Sequence, residues 1–261
     1  MKFLIQHNLI NPEKLGEIKE AIKDYPHEFV GLIPFSHEIT SNEPLEGDEF
    51  IPYGSTSMIE VALEHGWAGL HYNPVTANYR AFVENRRDML NNVVMRLDQA
   101  IEFLETQNPG ELWFTRPSKD LKEYTGFVDT AEELVRLFKD RMLCASSGSY
   151  QLSPDTEVVI SYPKTIHAEY RWFIVGGKVI TGSMYKNEGQ LFTKEIVEQE
   201  IITETQKLAD FWLPDPCCVM DLALTDFGVE VVEFNCINSS GFYACDVKKI
   251  FDALWDYHKE R

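Results

Sequence analysis

The sequence predicts an α+β protein, in which antiparallel hairpins and helices follow one another without a regular strand–helix alternation. Three observations carry this. Two pairs of strand-like runs are joined by short glycine turns: HAEYRWFIV and KVITGSMY around Gly176-Gly177, and CVMDLALT and VEVVEFN around Asp226-Phe227-Gly228. Segments with apolar residues at helical spacing stand before, between and after them. The 261 residues suffice for one large core or two modest ones.

Taken in order, KFLIQ is a first strand, and Asn11-Pro12 supplies a helix cap with proline at the first helical position. Leu15, Ile18 and Ile22 then form the apolar stripe of that helix. EFVGLIPF (28–35) reads as a second strand and the polar run 36–50 as a loop. Ser57 with Glu60 spells a capping box for a helix over about 58–65, closed by Gly66. Residues 76–106 read as mostly helical, 111–117 as a strand, and 130–141 as a helix capped by Thr130. TEVVIS is a short strand, 192–212 reads as a helix, and the last dozen residues as an amphipathic helix. No repeat interrupts the pattern.

The formal net charge is −18. So acidic a surface repels nucleic-acid backbones, and no nucleic-acid partner is expected. The apolar runs are too short to span a bilayer, so no membrane association is expected either. The N-terminus, MKFLIQHNLI, lacks a small-residue cleavage site and reads as a strand rather than a signal peptide. Cys144, Cys217, Cys218, Cys236 and Cys245 are odd in number and form no CxxC pair, which argues against a disulfide framework and for the cytoplasm.

The most informative stretch is VMDLALTDFGVEVVEFN. If Asp226, Phe227 and Gly228 form a three-residue hairpin loop, Thr225 pairs with Val229 and Asp221 falls opposite Glu233. Asn235 then shares the face of Glu233. Two facing carboxylates repel, and a divalent cation between them removes the conflict. Carboxylate and amide oxygens suit Mg²⁺ or Mn²⁺. The plainer alternative is a strand edge that happens to carry acids, and a one-residue slip would break the facing pair.

Two weaker motifs accompany it. His167, Glu169, Arg171 and Phe173 share one strand face, where Arg171 is a candidate phosphate clamp and Glu169 its holder or an amine's partner. Taken alone, an exposed cross-strand ion pair is the plainer explanation of them. FTRPSKDLKEYTG sets Arg116, Lys119, Lys122 and Gly126 after a strand, where lysine suits nucleotide phosphates and a solvated loop is the plainer reading for Lys119. Pro52-Tyr53-Gly54-Ser55 precedes a helix N-terminus, a place suited to a substrate carboxylate or simply a cap. Asn238-Ser239-Ser240-Gly241 follows the acidic strand directly and is read as substrate-contacting. Asp226-Phe227-Gly228 spells a protein-kinase triplet, but the other kinase signatures are missing and a turn explains it. His65 and His71 flank a glycine-containing turn with no third ligand nearby, so both read as surface or core histidines.

Together these residues resemble the ATP-grasp superfamily, most closely a small clade found in phages and bacteria. Members look like an R-P-x-x-x-x-K-x-x-x-G segment, then E-x-R-x-F, then an aspartate strand followed by G-x-x-[VI]-E-x-N. Here these stand as Arg116-Pro117…Lys122…Gly126, Glu169-Tyr170-Arg171-Trp172-Phe173, and Asp221…Gly228…Glu233-Phe234-Asn235, within a likeness reaching from about 52 to 246. The resemblance implies a small N-terminal α/β domain over 1–88 and an ATP-grasp domain over 89–261, with ATP held between two α+β subdomains. By it, Lys122 contacts ATP phosphates and Val159-Ile160-Ser161-Tyr162 is the hinge whose backbone reads adenine. Arg171 faces the γ-phosphate or an acyl phosphate, with Arg116 and Lys122 beside it in catalysis. Asp221, Glu233 and Asn235 hold Mg²⁺. The usual glycine-rich phosphate loop is missing, and CASSGSYQ (144–151) is its nearest counterpart.

The implied chemistry is a carboxylate–amine (or thiol) ligase working through an acyl phosphate, on an amino acid or peptide. A small-molecule kinase on the same fold, and a nucleotide-binding regulatory module without turnover, are the alternatives.

Overall fold

A computed structural model describes residues 1–33, 36–41, 44–119, 124–143 and 152–260. Its first stretch forms β1 (Lys2–Gln6), α1 (Pro12–Ile22), β2 (His27–Leu32), β3 (Ile39–Thr40), β4 (Phe50–Tyr53) and α2 (Thr56–His65). Next come α3 (Tyr79–Asn85), β5 (Val94–Arg96), α4 (Leu97–Glu105), β6 (Leu112–Pro117), β7 (Phe127–Thr130), α5 (Ala131–Leu143) and β8 (Glu157–Ser161). The remainder holds β9 (Ile166–Val175), β10 (Lys178–Asn187), β11 (Gln190–Ile196), α6 (Gln199–Phe211), β12 (Cys218–Thr225), β13 (Gly228–Cys236), a 3-10 turn (Ile237–Ser239) and α7 (Val247–Lys259). This is the α+β class that the hairpins predict.

The chain divides into two compact units. The first gathers 1–73, 168–222 and 234–261; the second gathers 74–167 and 223–233.

In the first unit, β1 lies between β2 and β4, parallel to both, with β3 antiparallel on the outer side of β2. A central parallel strand is buried on both faces, hence the unbroken apolar run of β1. Its residues alternate between two cores. Phe3 and Ile5 join Ile18 and Ile22 of α1 and Ile250, Phe251 and Leu254 of α7. Leu4 joins Met58, Val61 and Ala62 of α2. Asn11 caps α1 by accepting a bond from the Glu13 N–H, 2.9 Å.

A second sheet runs β11-β10-β9-β12-β13. Gly176 and Gly177, at φ 59° and 78°, close the β9–β10 turn, which needs left-handed backbone at both positions. Gly182 of β10 lies against Trp172 of β9, and a Cβ there would sit 2.2 Å from the indole.

In the second unit, β5-β8-β6-β7 is antiparallel. Leu97, Ile101, Leu104, Trp113, Leu134, Phe138 and Val158 fill its core. The predicted Thr130 cap is present, its Oγ1 accepting from the Glu133 N–H at 3.3 Å.

Four expectations need correction. Ser55, not Ser57, is the N-cap of α2; the helix already begins at Thr56, so the Ser57–Glu60 box does not form. Segment 76–106 is not one helical stretch. Between α3 and α4 the backbone pairs instead, with the Leu90 N–H bonded to Val231 O and the Val231 N–H to Asp88 O. The first part of 192–212 is strand β11, because the Glu188-Gly189 turn (φ 47° and 74°) folds it back onto β10. The loop 36–50 contains the short β3, held by Gly31 and Leu32 of β2. In the last three cases a tertiary pairing partner outweighs local propensity.

Candidate functional site

Strand alternation sets the geometry of the best-defined cluster, which lies in the first unit. Arg171 points from β9 to Asp221 on β12. The guanidinium grips the carboxylate twice, Nε to Oδ1 at 2.9 Å and Nη2 to Oδ2 at 2.7 Å. Asp221 is only 1% exposed. Burial works against the charged Arg171, but Asp221 beside it outweighs that and holds the guanidinium pKa above its usual range. Asn235 donates from Nδ2 to Asp221 Oδ2 at 3.1 Å.

Two tyrosines, unnoticed in the sequence, complete this cluster. The rings of Tyr185 and Tyr243 stack at 4.7 Å, only 8° from parallel. The Arg171 guanidinium carbon lies 5.0 Å from the Tyr243 ring centre and 5.7 Å from that of Tyr185. Tyr243 holds this place at φ 50°, a left-handed conformation that costs a tyrosine free energy. Tyr185 reaches it through a register shift between Met184 and Lys186, the kind of bulge that re-aims a side chain. Its hydroxyl donates to Glu169 Oε2 at 2.7 Å, and Lys186 binds Glu169 Oε1 at 2.8 Å. Burial, then the Asp221 and Glu169 charges, push the Tyr185 phenol far above its ordinary range. Glu169 thus holds Tyr185 and Lys186.

In the second unit, Arg116 of β6 pairs with Glu233 of β13, Nη1 to Oε2 at 2.5 Å, and its guanidinium carbon lies 4.7 Å from the Tyr79 ring centre. Tyr79 in turn donates its hydroxyl to Val232 O. Asp226 and Phe227 stand between β12 and β13, and Gly228 opens β13 at φ 111°, so the turn glycine belongs to the strand.

The hinge segment lies on β8. Val159 pairs with Val94 and Arg116, and Ile160 with Thr115, so the ladder engages the strand on both sides. Ser161 donates its hydroxyl to Asn91 Oδ1 at 2.6 Å. Tyr162, just past the strand, is exposed and stacks on Trp113 at 4.2 Å. Lys122 and the 144–151 segment lie outside the described residues.

At the start of α2, Gly54 leaves no room for a Cβ, which would stand 2.6 Å from Gln6 Oε1. The Gly54 N–H donates to Asn238 O, and the Ser55 N–H to Gln6 Oε1. The buried Ser55 hydroxyl has no hydrogen-bond partner among the described residues. Asn238 commits both amide donors, to Pro52 O at 2.8 Å and Gly69 O at 3.0 Å, and accepts from the His71 N–H at 2.8 Å. Its side chain therefore holds the loop together. Ser240 donates to Cys236 O, while Ser239 is half-buried.

Asp221 and Asn235 in the first unit, and Glu233 in the second, each carry a hard oxygen donor of the kind that suits a divalent cation; turning the Asn235 amide presents its oxygen where Nδ2 stands. Arginines meet both carboxylates, so each already lies beside positive charge.

A family model described as ATP-grasp domain, R2K clade family 3, matches residues 14–254. No curated protein matches the chain. Several solved structures share its fold. The RimK domain protein ATP-grasp from Sphaerobacter thermophilus is 12% identical, with TM-score 0.64 over 98% of this chain and 100% of that one. D-alanine–D-alanine ligase from Bacillus anthracis is 12% identical, with TM-score 0.61 over 99% and 97%. The ATP-grasp ligase PsnB, complexed with a minimal precursor, is 13% identical, with TM-score 0.60 over 98% of each chain.

Proposed function

The chain belongs to the ATP-grasp domain, R2K clade family 3, and from that membership we propose that it is an ATP-dependent carboxylate–amine (or thiol) ligase. A substrate carboxylate oxygen attacks the γ-phosphorus of ATP, and the bond to ADP breaks, giving an acyl phosphate. An amine then attacks the acyl carbon, phosphate leaves, and the amine proton passes to solvent. The protein's task is positioning and charge neutralisation.

Asp221, Glu233 and Asn235 are the proposed holders of Mg²⁺ or Mn²⁺, which when bound neutralises charge on the nucleotide phosphates. Arg171, Arg116 and Lys122 stabilise phosphoryl oxygens. The backbone from Val159 to Tyr162 reads adenine, and Glu169 fixes the aromatic wall beside Arg171. Gly54-Ser55 and Asn238-Ser239-Ser240 contact the substrate; the Ser55 hydroxyl, without a hydrogen-bond partner among the described residues, supports that role. In this reading residues 1–88 are the N-terminal domain and 89–261 the ATP-grasp domain. An amino acid or peptide substrate is proposed because the similar structures include a D-alanine–D-alanine ligase and a precursor-bound ligase solved with Mg and ADP. The cytoplasm is the proposed location.

The observation that carries the reading is the buried Asp221, gripped by Arg171 and touched by Asn235. The test is thermal denaturation with a non-hydrolysable ATP analogue, with and without Mg²⁺, on wild type and Glu233→Gln. A ligand that binds only the native state raises its melting temperature. A Mg²⁺-dependent rise that the variant loses supports the site and justifies a substrate screen by ADP release. No rise in wild type at millimolar nucleotide removes it.

A further inference from the structure

Apart from the Arg171 cluster, the first unit gathers a second set of groups with metal-binding chemistry. His71 is 8% exposed, and its Nδ1 lies 3.0 Å from Asp215 Oδ1. The fully buried Cys217 adds a thiol, and one donor atom from each of the three lies within 4.8 Å of the others. Behind the ring, His71 Nε2 lies 3.0 Å from His258 Nε2. His71 is remote in sequence from Asp215 and Cys217, which is why it reads there as a surface or core histidine.

The hydrogen bonds pre-arrange this set. Asp215 Oδ1 also accepts the Cys217 N–H at 2.8 Å, fixing the carboxylate beside the thiol. A metal-bound imidazole characteristically donates its other N–H to a nearby acceptor, which sets the tautomer. His258 Nε2 stands where that acceptor belongs, leaving the His71 Nδ1 lone pair toward Asp215 and Cys217. Tetrahedral zinc ligands, with metal bonds of about 2.0–2.3 Å, have nitrogen and oxygen about 3.3 Å apart. The observed 3.0 Å needs only a small opening. The donors are one sulfur, one nitrogen and one oxygen, a set that suits zinc and not Mg²⁺. One thiolate and one carboxylate also neutralise a divalent ion, which limits the electrostatic cost of burying it.

We propose that His71 Nδ1, Asp215 and Cys217 Sγ form a zinc site, with His258 as the residue that fixes the His71 tautomer. Loading releases the Cys217 thiol proton to solvent, and the His71 proton sits on Nε2, donated to His258. The site clips the segment after α2 to the start of β12 within one unit, and is independent of the nucleotide reading.

The test uses tag-free protein, stripped with chelator and titrated with Zn²⁺ and then Co²⁺. The expected result is about one equivalent of zinc per chain, a melting temperature that rises with zinc and falls again on chelation, and a thiolate-to-cobalt charge-transfer band. Cys217→Ser, nearly isosteric, should lose that band while keeping its native circular dichroism. His71→Ala and Asp215→Asn should lose stoichiometric uptake, and Glu233→Gln should keep it. Natively folded wild type that takes up no stoichiometric zinc or cobalt overturns the proposal. A cobalt band that survives Cys217→Ser overturns the ligand set.

Discussion

Arg171 and Asp221 form a two-bond ion pair, at 2.9 and 2.7 Å, around a carboxylate that is almost wholly buried. Neither partner is dispensable alone, because the survivor would be an uncompensated charge in a low-dielectric place. Arg171→Ala should cost about 3–5 kcal/mol of stability by urea denaturation. Adding Asp221→Ala should restore part of that loss. Arg171→Lys keeps the charge but not the two-pronged grip, and should fall between.

Glu233 is half-buried against Arg116. Glu233→Gln removes a charge but little volume, so the melting temperature without nucleotide should change little. ATP turnover, with any substrate that supports it, should fall roughly 100-fold or more. Full turnover would remove Glu233 from the metal site.

Gly182 has no space for a side chain beside Trp172. Gly182→Ala drives a methyl into the indole of a fully buried tryptophan. We expect a loss of about 1–3 kcal/mol, read from the denaturant midpoint. Trp172→Phe in the same background should recover part of it.

Burial pushes the thiols of Cys236 and Cys245 up to about 12. Both should resist iodoacetamide in the native protein at pH about 9 and react once it is unfolded. Because burial holds the folded values above the ordinary thiol value of 9.0, stability is at its full value below the unfolded pKa. It drains away as pH rises from there through the folded values. Denaturant midpoints that stay level between pH about 8 and about 11 would contradict the burial effect.

Asn238 ties Pro52, Gly69 and His71 together with three side-chain hydrogen bonds. At about 1 kcal/mol per bond, Asn238→Ala should cost roughly 3 kcal/mol. Asn238→Asp keeps the acceptor but loses both donors, and should also destabilise.

Local signals were readable where the chain answers to itself. Asn11-Pro12, Thr130 and Gly176-Gly177 encode caps and a turn in adjacent residues, and the structure forms all three. Alternation along β12 and β13 brings Asn235 to Asp221. What escaped depends on distant partners. Residues 192–196 look helical until β10 claims them. Tyr185 is re-aimed by a bulge that no local residue type announces, and it meets Tyr243 from 58 positions away. His71 finds Asp215 only through folding across 144 positions.

The first unit is sewn from three separated stretches, and Phe3 of β1 meets Phe251 of α7 edge-on at 5.2 Å. On the ribosome, the opening strand therefore emerges long before its packing partner exists. The second unit's main segment, 74–167, is synthesised and can collapse in the meantime. Through that interval the apolar face that Ile250, Phe251 and Leu254 of α7 will cover stays open. A nascent chain that stalls before α7 leaves this face open.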